Sequence, residues 1–236
     1  MMNQFYNHIR DAISYGLADR KAILLIGALV VVVSMLRKDD CLRPIYQVFN
    51  VTIFFYVGYG SFISWYSLKG SDKHPDIRNY KRIFWEGFKK STIVAVYSIG
   101  LTFFGYHGKL SFADGNILFG IGCVIVFSVI YLIMIGGLFN RYVNRGKILE
   151  AFNIPEILRM MSIFDLKSFI KVLIAVIISQ VFSVLIIMGF SEGFTLFEII
   201  YSIFAFFLAP FLYFATKRFI GLNVRDLLEK SGIERK

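Results

Sequence analysis

The sequence predicts an all-α fold, a polytopic integral membrane protein of six transmembrane helices with three amphipathic interfacial helices. Three observations carry that reading. Of the 236 residues, 57% are hydrophobic and the mean hydropathy is +0.64, above the 45–50% apolar content typical of a soluble domain. The excess lies in long charge-free runs. The cations, which give a net charge of +10, sit in short segments beside those runs, where anionic headgroups and the rules of membrane insertion account for them.

Taken in order, residues 5–17 place Phe5, Ile9, Ala12, Ile13 and Leu17 on one helical face, with Arg10, Asp11 and Ser14 opposite. Asp19, Arg20 and Lys21 mark an interface, and the first span runs over 22–36. No small-residue cleavage site follows this run, so it reads as a retained span rather than a signal peptide. Fifteen residues are short for about 30 Å of hydrocarbon, and snorkelling of Lys21 and Arg37 makes up part of the deficit.

The second span covers 45–68, with Pro44 beside its first turn. A second interfacial helix is expected over 76–90, with Ile77, Tyr80, Phe84 and Phe88 facing the membrane. The chain is then expected to turn into a third span over 91–106, followed by a turn through Gly115. The fourth span covers 116–139 and ends at Arg141. The third interfacial helix covers 154–165, started by Asn153 and Pro155, with Ile154, Ile157, Leu158 and Met161 as its apolar stripe. The fifth and sixth spans cover 169–190 and 194–216; Pro210 is expected to kink the sixth, and Lys217 and Arg218 to end it, leaving a charged tail with a short helix near Val224–Lys230.

These segments form one membrane domain, 1–236, in which an interfacial helix followed by a two-span hairpin recurs three times. The alternative is a hydropathy rhythm imposed by insertion alone. Charge sets the orientation. The N-terminal segment, the loop 69–90, the loop 140–171 and the tail hold 22 of the 26 Lys and Arg; Arg37, Lys38, Arg43 and Lys109 are the remainder. Both termini are therefore expected on the cytoplasmic side of a cell membrane.

Four stretches carry a family resemblance: DAISYGLADRKAILLIGAL from Asp11, GYGSFISWYSLKGSDKHPDIRNYKRIFWEGFKK from Gly58, FNRYVNRGKILEAFNIPEILRMMS from Phe139, and LAPFLYFATKRFIG from Leu208. Together, from Asp11 to Gly221, they resemble a prokaryotic membrane family, common in archaea, known as domain of unknown function 4013. The chain departs from that pattern at Gly16-Leu17, where Pro-Phe is expected after Tyr15. The resemblance implies a polytopic membrane protein and transfers no catalytic residue.

Chemistry is sparse. No ionisable residue lies at the centre of a span, Glu198 being about a turn inside the sixth, which argues against a carboxylate proton relay. Asn50, Ser64, Ser179 and Gln180 are the candidate intramembrane polar positions, read first as interhelical hydrogen bonds. The glycine pairs Gly58 and Gly60, Gly120 and Gly122, and Gly136 and Gly137 offer close helix approach. His8, His74 and His107 read as solvated loop or interfacial histidines. No phosphate loop, zincin motif, metal cluster or nucleophile–base pair is drawn, no cofactor is expected, and Cys41 and Cys123 form no framework. Nucleic acid is disfavoured, because no basic patch stands apart from the membrane flanks.

The remaining candidate is a cytoplasmic belt of cations and aromatics, Arg78, Lys81, Arg82, Trp85, Lys89 and Lys90, suited to anionic headgroups, a protein partner or a second copy of the chain. The expected function is accordingly a non-enzymatic membrane scaffold that engages lipid or a partner. The alternative is a permease or channel for a small solute, reached through the polar span positions.

Overall fold

The computed structural model describes residues 2–36, 53–144, 146–163 and 204–231, together with 170, 171, 173–175 and 177. Among these the chain is helical, with no strand: α1 Met2–Ala18, α2 Arg20–Leu36, α3 Ile53–Leu68, α4 Tyr80–Ala113, α5 Ile117–Val143, α6 Ile154–Ile163 and α7 Ala209–Ser231. A 3₁₀ turn, Ile148–Phe152, precedes α6, and a π-helical turn, Phe204–Leu208, precedes α7. The chain divides into two compact units. One comprises Met1–Gly87 with Leu166–Gly232, the other Phe88–Asp165 with Ile233–Lys236, so the division falls inside α4.

In the first unit, Asp19 separates two helices that would otherwise fuse. Its carboxylate accepts from the Ala22 amide at 3.1 Å, an N-cap on α2. The centre of the unit is α7. It lies antiparallel to α1, with Phe5 on Phe219, Asp11 on Arg218 and Gly16 against Phe211. It lies parallel to α3, with Gly60 against Tyr213, Ser64 Oγ donating to the Lys217 carbonyl at 3.3 Å, and Ser67 against Gly221. The core between these helices is aromatic and aliphatic: Tyr15, Ile23, Ile26, Tyr59, Phe62, Ile63, Ile83, Tyr213 and Phe214. Helix α4 enters antiparallel to α3. A Cβ on Gly58 would fall 1.9 Å from the Ile83 carbonyl oxygen, and one on Gly87 would fall 1.8 Å from that of Phe54. The two backbones meet because neither glycine has a side chain.

In the second unit, α4 and α5 form an antiparallel hairpin. Gly100 faces Ile130, Gly105 faces Phe127, Gly108 faces the buried Cys123, and Gly120 faces Phe112. Gly115 closes it in the left-handed region, at φ 76°, and Asn116 caps α5 by accepting from the Phe119 amide at 3.3 Å. The 3₁₀ turn and α6 fold back on the far end of α5. Ala151 and Ile157 press on Gly136 and Gly137, and Tyr97 donates to the Ala151 carbonyl at 2.8 Å.

Four expectations about elements are corrected. The residues expected as an interfacial helix, a bend and a third span form one helix, Tyr80–Ala113. It starts after the turn at Asp76–Asn79 and absorbs the expected turn at Tyr106–Lys109, because a change of environment along a helix does not by itself break its hydrogen bonds. Likewise α7 runs through Lys217 and Arg218 to Ser231, taking in the expected separate tail helix. Arg141 does not flank a span end, since α5 continues to Val143 and Arg141 is wholly buried. The expected kink at Pro210 takes the form of the π turn immediately before it.

The faces buried within the protein differ from the expected stripes, which are read as facing the membrane rather than the core. On α1, Ala12, Tyr15 and Gly16 are buried while Ile13 and Leu17 are exposed; on α6, Ile157 and Met160 are buried while Ile154 and Leu158 are exposed; on α4, Ile83 and Gly87 are buried while Tyr80 and Phe88 are exposed. Periodicity locates a helix's apolar content, and exposed apolar residues shared between two faces leave the orientation open.

Among the described residues one helix, Ile117–Val143, is long and apolar enough to cross a membrane, with a mean hydropathy of 2.8. Its Ile117, Leu118, Val124, Ile125 and Val129 are exposed. Helices α2 and α3 have 17 and 16 described residues. Most of the expected fifth span, the start of the second and the start of the sixth lie outside the described residues.

The glycine contacts are directly testable. Gly87→Ala is expected to destabilise the protein by about 1–3 kcal/mol through overpacking against the Phe54 carbonyl. Gly122→Ala, with nothing within 4 Å of the added carbon, should be neutral or stabilising by up to about 1 kcal/mol. Thermal unfolding in detergent compares the two.

Candidate functional site

The densest polar chemistry lies at one end of the first unit, around Arg218. Its side chain is 2% exposed and every edge of the guanidinium is used. Nε donates to Asp11 Oδ2 at 2.8 Å, Nη1 donates to the Ser71 carbonyl at 2.6 Å and to Ser67 Oγ at 3.4 Å, and Nη2 donates to Asp72 Oδ1. The flat face lies over the Tyr15 ring at 4.6 Å. Four chain segments therefore meet on one side chain: α1, the end of α3, the loop after it, and α7. Burial alone would disfavour the cation, but the hydrogen bonds and charges of Asp11 and Asp72 outweigh it and hold Arg218 above its already high range.

A second arm starts from Tyr15, whose ring stacks on His74 at 4.0 Å and whose hydroxyl donates to the Lys73 carbonyl at 3.2 Å. His74 Nδ1 lies 3.6 Å from Asp19 Oδ2, and the same carboxylate oxygen accepts from the Tyr59 hydroxyl. Burial lowers the His74 pKa, and although Asp19 opposes this, the nearby Arg218 lowers it further. Near neutral pH the imidazole is thus held neutral. At the same end His8 Nε2 pairs with Asp226 Oδ2 at 3.3 Å. The arrangement positions a fixed cation beside a short chain of acid–base groups. Among the described residues no three His, Cys, Asp or Glu side chains gather as a metal would require.

All three histidines read as solvated are therefore engaged in contacts within the fold, His107 against the Phe103 ring at 4.5 Å. One sequence signal could have found the surroundings of His74: Asp11, Tyr15 and Asp19 recur every four residues, the spacing of one helical face, from α1 to the residue just after it. Reading those charges as flanks of a span hid the pattern.

The expected basic surface divides between the units. Arg78, Lys81, Arg82 and Trp85 belong to the first and are exposed; Lys89, exposed, and Lys90, half-buried, follow on the same helix within the second. Among the described residues none of the five cations forms an ion pair with a carboxylate. Of the expected polar span positions, Ser64 is buried and its hydroxyl serves the Gly60 and Lys217 carbonyls, an interhelical tie. Asn50, Ser179 and Gln180 lie outside the described residues.

Arg218→Ala is expected to cost about 2–3 kcal/mol by stranding the acceptors it joins, and Arg218→Lys should recover less than half, since one ammonium cannot span four partners. Acid should weaken the same region. Unfolded His74 binds its proton near pH 6.5 and folded His74 binds it lower, so below about pH 6.5 the unfolded state holds more protons and stability falls. His74→Gln should flatten that acid slope, as measured by unfolding midpoints across pH 5–8.

No curated protein and no solved structure matches the chain. The profile of the family described as "Protein of unknown function (DUF4013)" matches residues 44–191, which take in α3, α4, α5 and α6 and the loop that carries Asp72 and His74. With well over half of its length matched, the chain belongs to the DUF4013 family.

Proposed function

We propose that the chain is a six-span, non-enzymatic integral membrane protein with both termini cytoplasmic, and that its cytoplasmic face organises anionic lipid. The carrying observation is the exposed basic surface at Arg78, Lys81 and Arg82, with Trp85 beside it, whose cations form no ion pair with a carboxylate among the described residues. Cations of this kind are attracted to the negative leaflet, and tryptophan favours the headgroup level.

The helix directions support the topology. With both termini inside, spans one and six run oppositely, two and six run alike, and two and three run oppositely. In the first unit α1 and α2 oppose α7, α3 parallels α7, and α3 opposes the start of α4. The Arg218 and His8 clusters lie at the end that this topology assigns to the cytoplasm, and the exposed apolar surface of α5 supports burial in lipid.

The test is lipid retention. The protein is reconstituted in nanodiscs of equal phosphatidylglycerol and phosphatidylcholine, extracted, and its bound lipid is measured by native mass spectrometry. Severalfold enrichment of phosphatidylglycerol is expected, falling toward unity in R78Q/K81Q/R82Q. Equal retention of both lipids by the unaltered protein would defeat the reading. Flux of a small solute through the same preparation in liposomes would favour a permease instead.

A further inference from the structure

The second unpaired arrangement in the first unit is centred on Trp65. This residue is half-buried, one turn before the end of α3. Lys69 Nζ stands 3.9 Å from its ring centroid, and the Arg82 guanidinium approaches the same ring at 5.9 Å while lying 5.2 Å from Phe62. Tyr66 and Phe62 complete the aromatic wall, at 5.5 and 6.3 Å from Trp65. Lys69 was not among the residues that the sequence singled out for lipid contact, and Arg82 was counted only as one charge in a belt. The fold brings them together from two segments, the close of α3 and the first turn of the helix that the Gly58–Gly87 contact holds against it.

Both cations are exposed at their own positions, and neither forms an ion pair with a carboxylate among the described residues. Both rest instead on π faces, which partly offset positive charge but accept no directed hydrogen bond. Two cations set against one aromatic ring, neither with a carboxylate partner among the described residues, supply the donors of an oxyanion site. Lys contributes a point charge and Arg a planar fork of donors, the combination that suits phosphate. The aromatic wall beside them is apolar, so it favours a phosphate carried on a hydrophobic body over free phosphate. Trp65 also lies at the end of a span assigned to the cytoplasmic boundary, where headgroups sit.

We infer that Lys69 and Arg82, framing Trp65, bind the phosphate of an anionic phospholipid, with Trp65 and Tyr66 against its glycerol and upper acyl region. This rests on the membrane reading above and assigns that reading a discrete site. A discrete site differs from a diffuse belt in two ways: it saturates, and it depends on two particular cations rather than on total charge.

Trp65 and Trp85 are the only tryptophans, so W85F makes Trp65 the sole reporter. The full chain carrying W85F is purified in neutral detergent and titrated with short-chain phosphatidic acid, phosphatidylglycerol, phosphatidylcholine and, separately, inorganic phosphate. Saturable change in Trp65 emission is expected with the two anionic lipids. Phosphatidylcholine and inorganic phosphate should need at least tenfold more. K69Q and R82Q, each on W85F, should weaken the anionic response at least tenfold, whereas K147Q, which removes equal charge from the second unit, should leave it unchanged. Far-UV circular dichroism and size-exclusion profiles matching the parent confirm that the variants are folded, and R82K, keeping charge but losing the fork, should fall between R82Q and the parent.

Equal weakening by K69Q, R82Q and K147Q would mean charge alone and would overturn the site. So would a phosphate response as strong as the lipid response, which would identify a soluble-anion site. Nanodisc enrichment that persists while Trp65 stays silent would overturn the site and leave the broader reading standing; loss of both would remove both.

Discussion

The first unit depends on how a buried guanidinium is satisfied. Five N–H groups in a fixed plane cannot be neutralised by one partner, and leaving even one in a dry interior costs about 1–3 kcal/mol. Arg218 meets this by drawing on α1, the Ser67 end of α3, the Ser71–Asp72 loop and the Tyr15 face at once. Its partners are then fixed in register. Tyr15 holds His74, His74 faces Asp19, and Asp19 both caps α2 and accepts a hydrogen bond from the Tyr59 hydroxyl. A single side chain thus ties the loop geometry to the angle at which the first two helices meet.

The second unit contains a smaller version of the same solution. Arg141, near the end of α5, is fully buried, and its Nε donates to the Gly146 carbonyl at 3.0 Å, closing the turn that follows the helix. Beside it Asn140 donates to the Glu150 carbonyl at 2.8 Å and accepts from Asn144 at 2.9 Å. In both units a buried cation carried on a helix faces inward and organises a neighbouring turn or loop. Counting such residues toward a surface charge bias overstates the surface: Arg141 and Arg218 both enter that count, yet both are buried.

This explains what was legible in the sequence. Helix content was, because long apolar runs with capping residues such as Asn116 and Asn153 specify helices locally. The break at Asp19 and the close approach at Gly58 and Gly137 were also readable, from the capping residue and the missing side chains. Helix ends after Lys217 and at Tyr106 were misread because hydropathy reports surroundings, whereas a helix ends only when its backbone bonds do. The Arg218 cluster was the hardest to see. Its members are spread from Asp11 to Arg218, each resembles an ordinary interfacial charge by itself, and only the antiparallel placement of α7 on α1 brings them together.

That placement has a consequence for biosynthesis. Asp11 and Arg218 are separated by 207 positions, and at about 5–20 residues per second the ribosome needs about 10–40 s to travel between them. During that interval α1 exists without the helix that covers Ala12, Tyr15 and Gly16, while α3 waits for the same partner. Two earlier segments are completed only by a later one, so the assembly of this unit is a closing step rather than a progressive one. The interval is also when Asp11 is without its final partner, and a nascent α1 in that state exposes the face that α7 later covers.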